Sequence, residues 1–156
     1  MRTTRTLIVM FLCCFALSVA ASPADPHVGT WKLNVAKSKY SPGPAPKEVT
    51  MKIEAKGAGT HLTQTGTDGA GKPIKVEFTA NFDGKDNPVT GVANADTIAV
   101  KRPDANTWDV TLKKAGKVVM TVTSVVSKDG KTRTSTFKGT DAAGKPVNNV
   151  VVYDRQ

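Results

Sequence analysis

The sequence predicts an all-β domain that folds as a single antiparallel up-and-down β-barrel of about eight or nine strands, lipocalin-like in shape. Apolar and polar residues alternate with period two over short runs. Gly, Pro, Asn and Asp interrupt these runs at short intervals, and no long amphipathic helix pattern appears. Sequential hairpins with short loops suit a barrel that closes on itself and leaves no exposed sheet edge. A β-sandwich uses the same pattern and is the alternative.

The predicted strands follow one another along the chain. Alternation is clearest in Lys47–Ala55, where every second residue is apolar. The run Lys117–Ser127 is apolar on both faces, which indicates a central or curved strand. The other predicted strands are Gly29–Asn34, Thr60–Gly66, Ile74–Ala80, Ile98–Val100, Trp108–Leu112, Lys131–Lys138 and Val147–Arg155.

One stretch of the sequence occurs twice. Gly66–Ile74 (GTDGAGKPI) recurs as Gly139–Val147 (GTDAAGKPV). Two copies do not make a solenoid, so the simplest account is one strand–turn–strand corner used twice. An old duplication is the alternative.

The amino-terminus has the layout of a secretory signal peptide. Arg2 and Arg5 precede the unbroken apolar run Leu7–Leu17, and small residues follow at positions 18–21. The apolar run is shorter than the roughly 20 residues of a membrane-spanning helix, which argues against a retained anchor. The chain is therefore expected to be exported, to the periplasm or the exterior, after loss of residues 1–21.

The rest of the chain is expected to form one domain. A partly extended segment, 22–46, includes the first strand, and 47–156 forms the remainder of the barrel. Cys13 and Cys14 lie in the predicted signal peptide, so the mature chain has no disulfide and no thiolate metal site.

Positive charge is spread along the chain rather than clustered. The net charge is +9, and the densest group is Lys113, Lys114 and Lys117. Nucleic-acid-binding proteins cluster basic residues and interleave them with aromatic side chains, and no basic run here contains one. We therefore expect no nucleic-acid partner, a monomeric protein, and at most weak contact with an anionic membrane surface.

Two motifs at the ends of the predicted barrel resemble those of a known superfamily. Gly29-Thr30-Trp31 begins the first strand, and Tyr153-Asp154-Arg155 ends the last one. This pair resembles the calycin superfamily, which contains the lipocalins and fatty-acid-binding proteins. The resemblance implies that Arg155 lies across Trp31 and seals one end of the barrel, in a cation–π contact worth about 0.5–2 kcal/mol.

A second resemblance covers the whole chain after the signal peptide. The strings GTWKLN, SKYSPGPAP, FDGKDNPVTG and KGTDAAGKPVNNVVVYDR are similar to a set of uncharacterised small exported bacterial proteins. That similarity implies export and a lipocalin-like barrel, without an activity. Fatty-acid-binding proteins carry a lid of two helices near their start, and Val35–Pro46 is too short and Pro-rich for such a pair.

The candidate ligand-binding residues are Arg133, Tyr153 and Arg155. Tyr153 and Arg155 share one face of their strand, and Arg133 shares a face with Phe137. If these faces point inward, the arginines could hold a carboxylate. The arrangement resembles the head-group site of fatty-acid-binding proteins. The alternative is that Arg155 caps the barrel on Trp31 and Arg133 points outward.

Catalytic motifs are not evident in the sequence. His27 lies in a Pro-rich tail next to the predicted cleavage site, and His61 begins a weak strand. Asp83, Asp86 and Asn87 faintly resemble a calcium loop, but turn chemistry explains them better. We expect a non-enzymatic protein without metal or cofactor that binds a small apolar or amphiphilic ligand. The alternative function is an envelope-associated structural or surface-interaction protein with a filled barrel.

Overall fold

The computed structural model describes residues 25–156, which form one closed antiparallel barrel of ten strands. The strands are β1 Gly29–Leu33, β2 Glu48–Lys56, β3 Gly59–Thr67, β4 Pro73–Asn81, β5 Asn87–Thr90, β6 Thr97–Asp104, β7 Thr107–Lys114, β8 Lys117–Val126, β9 Thr132–Thr140 and β10 Pro146–Arg155. Each strand pairs with the next, and β10 pairs with β1 to close the sheet. The predicted up-and-down barrel is therefore confirmed, and the sandwich alternative is wrong.

The strand that the sequence did not reveal is β5. The predicted count of eight or nine is corrected to ten because of this four-residue strand. It pairs through two residues with β4 and two with β6, and it contains Pro88. A strand this short, with a proline that cannot donate to the ladder, shows no usable alternation.

The alternating residues fill the barrel as the pattern requires. In β2 the burial alternates strictly over Val49, Met51 and Ile53. In β8 the ladder to β7 shifts register beside Leu112, which is the irregularity expected of a curved strand. Beyond this bulge Val122 faces inward and is buried. One face of β8 is therefore buried and the other exposed, although both carry apolar residues.

The repeated sequence forms the same turn twice, between β3 and β4 and between β9 and β10. The N–H of Asp68 donates to the carbonyl oxygen of Lys72 at 2.8 Å, and that of Asp141 to Lys145 at 2.9 Å. In each copy the aspartate Oδ1 also accepts two backbone N–H groups inside the turn. The repetition therefore reflects one turn geometry with an Asp side chain at its centre.

The barrel has two distinct ends. We call the end with residues 25–28 and the turns after even-numbered strands the closed end, and the opposite end the mouth. The loop between β1 and β2 lies at the mouth side and pairs with β10 through Lys39 and Val150. Residues 25–156 contain no helix in this loop or elsewhere, so the two-helix lid is absent there.

Within residues 25–156 there is no helix long and apolar enough to cross a membrane. The predicted signal peptide, residues 1–21, lies outside the described residues.

Candidate functional site

A cavity of about 210 Å³ lies inside the barrel. Its wall is mostly apolar. The apolar lining residues are Met51, Leu62, Val76, Phe78, Val89, Val92, Ile98, Trp108, Val110, Leu112, Met120, Val122 and Phe137. The polar lining residues are Gln64, Asn94, Ser124, Arg133, Ser135 and Tyr153.

The cavity is polar at its base, and the residues that line it are more exposed at the mouth than at the base. At the mouth its lining includes Gln64, Val92 and Asn94, which are half-buried. At its base Arg133 and Tyr153 are buried. A ligand would therefore enter from the mouth and meet the polar base last.

The polar base is built by cross-strand neighbours on three adjacent strands. Tyr153 on β10 lies opposite Arg133 on β9, and Ser135 on β9 lies opposite Ser124 on β8. The Ser124 and Ser135 hydroxyl oxygens are 2.8 Å apart and share a hydrogen bond. Because alternate residues on a strand share a face, this register brings all four side chains to the cavity.

Arg133 is a buried cation without an anionic partner. Its side chain is 3% exposed, and none of the ion pairs among residues 25–156 includes it. Its Nη1 donates to Nδ1 of His27, and its Nε has no hydrogen-bond partner. Burial lowers the pKa of Arg133 to about 10, so it remains a cation at neutral pH. Unpaired buried charges are costly, and an anionic ligand would compensate this one.

His27 is the second member of this buried cluster. Its ring stacks on Trp108 with centroids 4.3 Å apart, and it is fully buried. Because Nδ1 accepts from Arg133, the ring proton is assigned to Nε2, which has no partner among the described residues. Burial lowers the pKa of His27 to about 3, and the charges of Arg133 and Arg102 add to that effect. His27 is therefore neutral.

Residues 25–28 hold His27 in place at the closed end. Asp25 forms an ion pair with Arg102 at 2.7 Å. The indole N–H of Trp31 donates to the His27 carbonyl oxygen at 2.9 Å. Arg155 donates to the carbonyl oxygens of Pro26 and Val28. Three consecutive carbonyl groups of this segment are thus bound by Trp31 and Arg155.

Arg155 lies across Trp31, as the resemblance implied, with its guanidinium carbon 4.2 Å from the ring centroid. Its Nε also donates to the Gly130 carbonyl oxygen at 2.6 Å. Gly29 leaves room for this side chain, since a Cβ there would lie 2.5 Å from Arg155 Nη1. All the guanidinium nitrogens therefore face backbone carbonyls.

The structure separates the three predicted ligand-binding residues. Arg133 and Tyr153 line the cavity, as the inward-facing interpretation requires, and Arg155 does not. The alternative interpretation is half right: Arg155 caps the barrel, whereas Arg133 points inward. Burial raises the pKa of Tyr153, so its hydroxyl stays protonated and can donate to an acceptor in the cavity.

The other residues considered for chemistry lie outside the cavity. His61 faces the outer surface of β3, with Nδ1 2.9 Å from the Thr79 hydroxyl. Asp83 stabilises a turn by accepting the Lys85 N–H at 3.0 Å, which agrees with the turn interpretation. Among the described residues, no group of three or more His, Cys, Asp or Glu could hold a metal ion.

Sequence reasoning missed His27 and Trp108 as members of the site. His27 sits in an Asp-Pro-His tail without periodicity, so nothing in the pattern indicated that it enters the barrel. Trp108 was expected only as an apolar strand residue. The available signal was that the tail supplies one of only two histidines in the chain, two residues before the Gly-x-Trp motif.

A search of solved structures gives a neighbour with the same architecture. It is the crystal structure of zebrafish ileal bile acid-binding protein complexed with cholic acid, with a TM-score of 0.50 and 14% sequence identity. The match covers 84% of this chain and 99% of that one. The fold is calycin-like. No protein-family model matches the chain, and no curated protein sequence matches it either.

Proposed function

We propose that this calycin-like barrel is a non-enzymatic binding protein for a small amphiphilic acid, held in its cavity with the acid group at Arg133. The observation that carries the proposal is the buried, uncompensated guanidinium of Arg133 at the base of an apolar cavity. Tyr153 and the Ser124–Ser135 pair add hydroxyl groups beside it. The calycin-like shape of the barrel also supports the proposal, since the zebrafish neighbour was crystallised with cholic acid, an amphiphilic carboxylic acid.

The size of the cavity restricts the ligand. At about 210 Å³ it is smaller than usual small-molecule pockets, which measure about 300–1,000 Å³. The apolar wall between the base and the mouth suits a hydrocarbon tail. We therefore propose a short or medium-chain acid rather than a long lipid, and octanoate is a suitable probe.

Calorimetric titration of octanoate tests this function. The comparison uses the wild-type protein, Arg133→Met, and Lys131→Met as a control that removes an exposed cation two positions away. Wild type and the control should bind alike. Arg133→Met should bind at least about tenfold more weakly, because a charge-assisted hydrogen bond is lost. Equal binding by all three proteins would remove Arg133 from the site.

Native mass spectrometry of the wild-type protein, purified from its own export compartment, addresses the natural ligand. A discrete adduct that is absent from Arg133→Met supports a carrier with a head group at this arginine. A clean mass with no uptake of octanoate, or of acids from a lipid extract, would refute the proposal and favour a barrel filled by its own side chains.

Export is part of the proposal. It rests on the amino-terminal layout of charged, apolar and small residues. Expression of the full chain in a bacterium, with fractionation and amino-terminal sequencing, should give a periplasmic or secreted protein that begins at Ala21 or Ser22. An intact chain retained in the cytoplasm would contradict this part.

A second candidate function is weak docking to an anionic membrane surface by the mouth. Four exposed lysines at the mouth have no carboxylate partner among residues 25–156, and we call them the rim lysines. They are Lys47, Lys72, Lys117 and Lys145. Val118, beside Lys117, is 59% exposed. Cations beside an exposed apolar side chain suit an anionic lipid surface.

Vesicle sedimentation at low and high salt tests this second candidate. Lys72 and Lys145 occupy matching positions in the repeated turn, so their double replacement by Glu reverses charge at two equivalent points of the rim. Binding to vesicles with anionic lipid should fall with that variant and with added salt. The control replaces Lys56 and Lys128, exposed at the closed end, by Glu. Equal loss in both variants would show nonspecific attraction rather than docking by the mouth.

A further inference from the structure

We propose that His27 is a positioning residue: it fixes Arg133 at the base of the cavity and so makes the site select a carboxylate over an uncharged head group. This inference rests on the proposed function, because it concerns the same cavity. It adds to the site a residue that precedes the first strand, and it gives a role to the one side chain that residues 26–28 place against Arg133.

The geometry restrains a side chain that is intrinsically flexible. Arginine has a long stem and a planar head with five N–H groups. In this barrel Nη1 of Arg133 donates to Nδ1 of His27. Trp108 contacts both groups, since its ring stacks on His27 and lies 4.8 Å from the Arg133 guanidinium carbon. The guanidinium is thereby held by an acceptor and by an aromatic surface at once.

The chemistry of the acceptor decides what the cavity selects. A carboxylate in the place of His27 would hold Arg133 equally well and would also neutralise its charge. Neutral imidazole accepts one hydrogen bond and leaves the charge uncompensated. Nε of Arg133 has no partner among the described residues. Arg133 therefore keeps its charge uncompensated beside the cavity, in a fixed position.

His27 is itself fixed from two sides. Its carbonyl oxygen accepts from Trp31, and its backbone N–H donates to Asp25 Oδ1 at 2.9 Å. The neighbouring carbonyl groups accept from Arg155. The Gly-x-Trp motif and the terminal Arg thus act at a distance on the cavity, because they seat the residue that holds Arg133.

Two substitutions separate the acceptor from the ring. His27→Phe keeps a ring that can stack on Trp108 but has no acceptor. His27→Gln keeps an acceptor of similar reach and loses the ring. Octanoate and octanol, which share a chain and differ in charge, are titrated into each variant and into His61→Phe as a control.

Wild type and His61→Phe should prefer octanoate to octanol. His27→Phe should bind octanoate about tenfold more weakly, the equivalent of one charge-assisted hydrogen bond, with octanol changed less than about twofold. His27→Gln should retain most of the preference. Unchanged preference in His27→Phe, while wild type binds octanoate, would overturn the positioning role and leave the proposed function intact. No octanoate binding by wild type would overturn both.

A readout without ligand makes the role testable even where a variant folds poorly. The Arg133 side-chain Nε–H of the wild-type protein should give a distinct, slowly exchanging NMR signal, and His27→Phe should broaden it or shift it toward solvent-exposed arginines. A wild-type Arg133 signal that averages with those of exposed arginines would overturn the proposal, whatever the variants do.

Discussion

Two arginines near the closed end of this barrel each lie beside a tryptophan, and they are bound in opposite ways. At the closed end Arg155 lies on Trp31, and its nitrogens donate to three backbone carbonyl groups. In the cavity Arg133 lies by Trp108 with one side-chain acceptor and an unpaired Nε. The first arginine is fully paired within the protein. The second is paired only in part, which is the observation that supports the proposed binding of an acid group at Arg133.

Arg155→Ala should have the largest effect on stability. The free energy of unfolding should fall by about 4 kcal/mol, because several hydrogen bonds from a charged donor are lost together with the stacking on Trp31. Urea unfolding measures this change. Arg155→Lys should recover only part of it, since an ammonium group cannot reach all three carbonyl groups with a planar fork. A loss below about 1 kcal/mol would show that the clamp is dispensable.

Acid should cause the second largest loss of stability, because His27 is buried as a neutral side chain. The pKa of His27 is about 3 in the folded protein and 6.5 ordinarily, mainly because of burial. Arg133 and Arg102 add to the shift, and the Asn106 backbone and Asp104 oppose it. Below pH 6.5 the unfolded chain takes up a proton that the folded protein does not. The free energy of unfolding should therefore fall by about 3 kcal/mol between pH 7 and pH 4 and show no dependence on this residue above pH 7.

Urea unfolding over that pH range gives the measurement. His27→Phe should flatten the acid limb of the curve, and His61→Phe, which alters the histidine on the outer surface, should leave it in place. Identical acid limbs in wild type and His27→Phe would mean that other groups cause the loss.

Arg133→Met should affect stability little and in the opposite direction from Arg155→Ala. Replacing a buried charge by an apolar side chain of similar length is often neutral or stabilising, here by about 1 kcal/mol. The free energy of unfolding without ligand checks this, with Arg155→Met as the matched substitution at the closed end. If Arg133→Met lowered the free energy of unfolding by several kcal/mol, Arg133 would be a structural residue like Arg155, and the proposed difference between the two arginines would be wrong.

The smallest effect is expected at the mouth. The side-chain amide of Asn94 donates to the Thr140 carbonyl oxygen at 2.6 Å and ties the β5–β6 loop to the end of β9. Asn94→Ala should cost about 0.5 kcal/mol and speed octanoate exchange by about twofold to fivefold. Stopped-flow displacement measures the rate. Asn106→Ala breaks a comparable bond to the Val126 carbonyl oxygen at the closed end and should not change exchange.

Alternation made most of the barrel predictable, because it states directly which residues face the core. The strand that contains Val49, Met51 and Ile53 is one example, and the inward face shared by Arg133 and Phe137 is another. The repeated Asp-containing turn was also predictable from the sequence, because its conformation depends on side chains within the turn. Each of these features depends on residues that are close in sequence.

The rest depended on contacts that no local pattern encodes. His27 and Arg133 are separated by more than a hundred positions, and the tail gives no sign that it folds into the barrel. Which of two arginines would be satisfied by backbone carbonyls depended on the position of residues 25–28. The short strand β5 depended on its neighbours for pairing. These features exist only once the barrel has closed.

The pairing of β1 with β10, which closes the barrel and which we call the seam, also imposes an order on folding. Every strand from β2 to β10 pairs with a neighbour along the chain, whereas β1 and β10 join residues as distant as Trp31 and Arg155. Such a contact must overcome the loop-closure entropy of nearly the whole domain, so hairpins are expected to form first and the seam last. An open, nearly complete sheet would then expose two unpaired edges at once, and the risk of edge-to-edge aggregation is concentrated in that final step.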